Sequence, residues 1–272
     1  MNFNTVKKEL FSGLNTEGFV RYRNTYYKLV DKRVMLSIGV RNLAFLVDIN
    51  FSITPIFQFN NMPIFSFHFP QNLNWDLLGC TGAFWYCNKE GIELEHPTLE
   101  ELLMLIPGDA EQNKKALGFA RTVLAELFDV MRGLGSTEDC LEALLRFFPY
   151  GDDYWIIGPG EAAAICSLLV YLKKFELCRE CIDGYCRHWN SNPKCIESKA
   201  KFEPFIEVFT AALDSGDFTF LHDKFLEFSR NNVRHLTGTE FAFSEEDFAE
   251  FERSIEWMKG YGTQSGDSSV LT

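Results

Sequence analysis

The chain has 272 residues, 46% hydrophobic and 24% charged, with a formal net charge of −12. That balance suits a water-soluble globular protein of one large domain or two ordinary ones. No apolar run reaches the roughly 18 residues a bilayer span requires, and MNFNTVKKELFSGLN is amphipathic without a signal-peptide core. The expectation is a cytosolic protein, with no membrane partner, whose eight cysteines stay reduced.

The charge is uneven. Residues 1–41 carry eight Lys/Arg against three Asp/Glu, residues 42–112 one against nine, and the remainder seventeen against twenty-six. An acidic body disfavours nucleic-acid binding, which depends on Lys and Arg at phosphates. It attracts a basic partner over a distance.

In chain order, residues 5–14 predict a short helix with Val6, Leu10, Phe11 and Leu14 on one face. After Gly18 the period changes to two. Val34, Leu36, Ile38 and Val40 alternate with Met35, Ser37, Gly39 and Arg41. Phe45, Val47, Ile49, Phe51 and Ile53 alternate with Leu46, Asp48, Asn50, Ser52 and Thr54, and Phe65, Phe67 and Phe69 with Ile64, Ser66 and His68. Strict alternation implies an antiparallel sheet with one buried and one wetter face. Asn24-Thr25 and Asp31-Lys32-Arg33 read as turns, and a meander of four to six strands is expected to end near residue 90.

From about residue 98 the period is 3.6. Asp109 with Gln112 forms an N-terminal box, and Leu117, Ala120, Leu124, Leu127, Phe128 and Met131 form the stripe behind it. Ser136 opens the next helix, which Pro149 stops. The run after Gly158-Pro159-Gly160, AAAICSLLVYL, is apolar nearly all round and is expected to be buried. Three further stripes contain Phe202, Phe205, Ile206 and Phe209, then Leu221, Phe225 and Phe228, then Phe248, Phe251, Ile255 and Met258. Ser244 with Asp247 reads as the cap of the last helix, and the polar tail after it as frayed. Turns near residues 134, 174 and 215 recur at a spacing close to 40, which points to stacked helical hairpins.

CRECIDGYCRHW, residues 178–189, holds three cysteines and a histidine. At about 100° per residue, Cys178, Cys181 and Cys186 fall on the stripe shared by Phe175, Ile182, Tyr185 and Trp189. Glu176, Arg179, Glu180, Asp183 and Arg187 fall opposite. The cysteines are therefore expected to pack in a core, as free thiols commonly do. Zinc ligation by Cys178 and Cys181 with His188 or Cys195 is the alternative. It is disfavoured because no second CxxC occurs.

The chain has no GxSxG, GxxxxGK[ST] or HExxH motif. His68, His96, His188, His222 and His235 are scattered without ligand spacing, and no catalytic residue, metal or cofactor is expected. Two places read as partner-binding. One is the loop PYGDDYWIIGPGE, with Asp152, Asp153, Tyr154, Trp155 and, at the following helix start, Glu161; it reads equally as a connector tucking Trp155 inward. The other is a polar patch on the sheet formed by Arg21, Arg23, Asp48, Asn50 and His68, with Ser52, Ser66, Arg33 and Arg41 nearby; the alternation of any half-solvated sheet also explains it.

YLKKFELCRECIDGYCRHW and LDSGDFTFLHDKFLEFSRN resemble the second half of a tetratricopeptide-type hairpin, a likeness over roughly residues 110–235. The spacing is longer than the tetratricopeptide period and the small-residue signature is incomplete. Gly18, Phe19, Arg21, Asn24, Tyr26 and Tyr27 resemble the opening hairpin of an uncharacterised bacterial domain-of-unknown-function family, a likeness over about residues 5–90. That resemblance implies no catalytic residues. It implies immunity-type binding, since some relatives look like accessory genes of bacterial conflict systems.

The expected fold is thus α+β. A helix with an antiparallel meander sheet occupies residues 1–95, an α-helical hairpin bundle residues 96–262, and a disordered tail residues 263–272. The expected function is non-enzymatic binding of a protein partner, possible partners being basic ones such as a toxin. The alternative is an enzyme or metal protein with a site between the two halves.

Overall fold

The computed structural model describes residues 18–22, 25–43, 46–58, 67–69, 108–118, 131–147, 159–191, 196–234 and 242–261, together with Lys8, Phe11 and Ile106. The strands are β1 (Val20–Tyr22), β2 (Thr25–Val30), β3 (Val34–Leu43), β4 (Leu46–Pro55) and β5 (Phe67–Phe69). The labelled helices are α1 (Thr137–Phe147), α2 (Pro159–Tyr171), α3 (Phe175–Ser191), α4 (Ile196–Ser215), α5 (Thr219–Val233) and α6 (Glu245–Ile255), which runs into a 3-10 turn, Glu256–Lys259. The α+β class read from the alternating periods is the class observed. Two compact units form. The first holds residues 1–31, 35–53 and 65–149, and the second residues 32–34, 54–64 and 150–272. The expected boundary at residues 95/96, the loop at 152–155 and the tail lie outside the described residues.

The sheet is a five-stranded meander in the order β1-β2-β3-β4-β5. β1 and β2 pair antiparallel with Val20 opposite Tyr27, and β4 and β5 with Asn50 opposite His68. The short β2–β3 and β3–β4 connections leave no length for a parallel crossover. At the β2–β3 turn both Asp31 (φ 50°) and Lys32 (φ 52°) are left-handed, the backbone pair that matches strand twist in a tight hairpin.

One face of the sheet departs from the expected alternation. Val34, Leu36 and Ile38 are fully buried as foreseen, but Met35, Ser52 and Thr54 on the supposed wet face are buried as well. The Ser37 and Ser52 hydroxyls hydrogen-bond each other at 2.6 Å. These two hydroxyls satisfy each other inside the protein rather than marking a solvated face, while the buried Thr54 hydroxyl has no hydrogen-bond partner. Arg33 is 5% exposed and does not contribute to an open patch either.

The helices of the first unit begin where the caps predict. Asp109 accepts from the Gln112 amide at 2.9 Å. Ser136 Oγ accepts from the Asp139 amide at 3.1 Å, while Asp139 accepts from the Ser136 amide at 2.8 Å, a reciprocal box that holds the Asp139 carboxyl below its usual range. Asp31 adds a non-local cap: its carboxylate accepts from the Thr137 amide at 2.9 Å and the Thr137 hydroxyl at 3.3 Å. The hairpin tip thus places negative charge at the start of α1.

In the second unit α2 is the central helix, with every residue from Ala162 to Val170 buried. It ends in a six-to-one bond from the Lys174 amide to Leu169 and a companion bond from Lys173 to Val170. Lys173 is left-handed (φ 58°), where such a motif ordinarily places glycine. Its ammonium lies 4.8 Å from the Trp257 ring centroid. Gly216 (φ 71°) closes α4 in the ordinary way. Ser244 and Asp247 make the full capping box of α6.

Residues 32–34 and 54–58 belong to this unit. Phe57 is wholly buried, its ring 4.9 Å from Phe225, 5.0 Å from Tyr171 and 5.4 Å from Phe251. Asn232 Nδ2 donates to the carbonyls of Ile56 and Gln58, both at 2.9 Å. Arg33 donates to the Tyr171 hydroxyl at 3.1 Å and to Glu250 at 3.5 Å, and its guanidinium lies 5.3 Å from the Phe251 centroid. Planar, hydrogen-bonded and stacked, arginine is the cation suited to such burial.

Candidate functional site

The sequence-derived partner residues are only partly described. Asp152, Asp153, Tyr154, Trp155 and Arg23 lie outside the described residues. Glu161 is the third residue of α2, and Asp48 lies in β4. The register brings Asn50 and His68 together as antiparallel partners. Arg21 is exposed on β1 opposite Tyr26.

The cysteine-bearing helix has the packing its wheel predicts. Cys178, Cys181, Tyr185 and Trp189 are buried, as is Cys166 from α2, and Cys186 is half-buried. Burial pushes the Cys181 thiol up to about 12 and the Cys166 thiol well above its ordinary value. Such thiols stay protonated and are poor nucleophiles, and Cys195 of the alternative zinc set lies outside the described residues. The Cys178 thiol points at the Cys166 carbonyl at 3.9 Å, a weak contact of the packing.

Two features stand out on the surface of the second unit. The first is a groove of roughly 370 Å³ where the end of α4 meets the start of α5. Its walls are Val208, Ala211, Ala212, Phe220 and Leu221, and Glu207, Ser215 and Asp217 supply its polar groups. Phe220 is 55% exposed, more than Ile106 and Tyr261, the other exposed large hydrophobic residues among those described. Asp217 is held in place by accepting from the Thr219 amide at 2.9 Å, which keeps its carboxyl below the usual range.

The second is a titratable cluster on the neighbouring surface of α5, α6 and the 3-10 turn. His222 is 1% exposed. Its Nδ1 lies 3.0 Å from Asp223 Oδ1, and its Nε2, which has no hydrogen-bond partner, lies 3.8 Å from Glu256 Oε2. Glu252 sits one turn before Glu256, and the donor atoms of His222, Glu252 and Glu256 all lie within 4.8 Å of one another. Lys259 reaches Glu256 at 3.0 Å and Glu252 at 4.0 Å.

Sequence reasoning passed over both features. His222 carries no local ligand motif, because its carboxylates come from a helix some thirty positions downstream. The available signal was the Glu252/Glu256 spacing, which puts two carboxylates on one helix face. No helix among the described residues is long and apolar enough to cross a membrane. Comparison with protein-family models, curated proteins and solved structures finds no match for the chain.

Proposed function

We propose that this is a non-enzymatic, acidic interaction protein whose α4–α5 groove receives an apolar helix face of a basic protein partner. The observation that carries the reading is Phe220, 55% exposed beside an apolar groove with Glu207 and Asp217 at its edge, on a chain of net charge −12. Exposed apolar surface rimmed by charge is the composition of a binding patch. Aromatic residues are favoured anchors, and a groove between helices suits an amphipathic helix whose flanks carry Lys or Arg. An immunity-type protein that neutralises a basic toxin is one form of this function. The Asn50–His68 rung and the Asp152–Trp155 loop are further proposed contacts.

The test is fluorescence anisotropy with a labelled Leu/Lys amphipathic peptide and its Leu/Glu counterpart. The Leu/Lys peptide binds, more weakly at high salt, and Phe220→Ala weakens it at least about tenfold, the scale of an anchor residue. Equal binding of both peptides, or no effect of Phe220→Ala, defeats the reading. A gel shift at low salt is expected to show no retained nucleic acid.

A further inference from the structure

We propose that His222, Glu252 and Glu256 form a binding site for a divalent first-row transition ion, with Zn2+ as its representative. A carboxylate only accepts hydrogen bonds, so the 3.0 Å contact with Asp223 puts the ring proton on Nδ1. In the neutral ring the lone pair is then on Nε2, which is buried, has no hydrogen-bond partner and lies 3.8 Å from Glu256. A metal-binding histidine is ordinarily prepared in this way: the far nitrogen donates to a carboxylate, which fixes the tautomer and makes the near nitrogen a better ligand. Ligands at 2.0–2.2 Å around a tetrahedral ion stand about 3.4 Å apart. The separations of up to 4.8 Å need only rotation of two glutamates whose side chains are 47% and 57% exposed.

The cluster already draws in a cation. Two glutamates one turn apart repel each other, and Lys259 sits across both. Its ammonium is a point charge on a flexible stem, 41% exposed. Such surface pairs are weak, so an ion coordinated by three ligands displaces it. One imidazole with two carboxylates favours Zn2+, Mn2+ or Co2+ over Mg2+ and Ca2+, which prefer oxygen alone.

The test is calorimetric titration of the full chain with Zn2+ and visible spectroscopy with Co2+. Because His222 is buried, the exposed positions carry the test. One ion is expected to bind with a Kd of about 10 μM or tighter, and Glu256→Gln and Glu252→Gln each weaken it at least about tenfold. Asp223→Ala weakens it about tenfold or more through loss of the orienting carboxylate, and Lys259→Gln tightens it by removing the competing cation. The Co2+ spectrum shows nitrogen and oxygen ligation. Thiolate charge-transfer bands, an affinity indifferent to both glutamate substitutions, an equal response to Mg2+, or no binding even in Lys259→Gln would each overturn the site. The groove reading stands or falls on Phe220 instead, so the two failures are separable.

Discussion

Phe57→Ala removes the ring on which the second unit's aromatic core converges. The side chain is wholly buried against Tyr171, Phe225 and Phe251 at 4.9–5.4 Å between centroids. Truncating a buried phenylalanine costs about 3–5 kcal/mol, transfer and cavity together. The adjoining carbonyls of Ile56 and Gln58 are tied to Asn232, so the backbone is held against collapse into the space, which puts the cost in the upper half of that range. A loss of about 4 kcal/mol is a large share of the ~5–15 kcal/mol that domains possess. With a urea m-value of about 3 kcal/mol/M, the midpoint falls by roughly 1.3 M. Urea unfolding followed by tryptophan fluorescence and by circular dichroism reads it, and a double-mutant cycle with Phe225→Ala is expected to show coupling of about 0.5–1.5 kcal/mol. A cost below about 1 kcal/mol, or strict additivity with Phe225→Ala, refutes the packing argument.

The remaining expectations concern charge, backbone and thiols. The Lys32 ammonium, with the Ser244 amide and hydroxyl, holds the Asp247 carboxyl at about 2 against an ordinary 3.8. A depressed carboxyl contributes stability that is complete above the unfolded value and is lost as pH falls from about 4 through about 2. Lys32→Met should therefore raise the Asp247 titration seen by NMR and flatten the acid limb of the stability profile; an unmoved titration excludes the pairing. At the left-handed Lys173, Gly and Ala substitutions both delete the ammonium, yet Lys173→Gly should be more stable than Lys173→Ala by about 1 kcal/mol in thermal or urea unfolding. Mass mapping after alkylation of the folded protein should find Cys166 and Cys181 protected and Cys186 modified faster. Comparable rates would contradict the burial of Cys166 and Cys181.

Features written in local sequence were legible. Ser244 with Asp247, Ser136 at a helix start and Asp109 before Gln112 are caps because a short polar side chain within three residues can reach a free amide. The cysteine stripe was legible because one helix turn repeats every 3.6 residues. Features set by distant partners were not legible. Ser52 and Thr54 read as solvated because alternation records polarity alone; the Ser52 hydroxyl, paired with Ser37, is as polar as one in water. Arg33 looked like a turn residue, since nothing nearby in sequence announces Tyr171, Glu250 and Phe251. The turn near residue 174 was legible from the helix spacing, but not that Lys173 takes the left-handed position there. The His222 cluster needed the pairing of α5 with the end of α6, which no spacing rule supplies.

Asp31 and Arg33, two residues apart, are claimed by different compact units, and after residues 35–53 the chain rejoins the second at Thr54, just before Phe57. No single scissile bond therefore divides the polypeptide into autonomous pieces. A recombinant fragment starting at residue 150 lacks the arginine and the phenylalanine around which its aromatic rings assemble. Excision is expected to yield insoluble material, whereas splicing the 32–58 segment onto that fragment through a glycine tether should restore a soluble, cooperatively melting body.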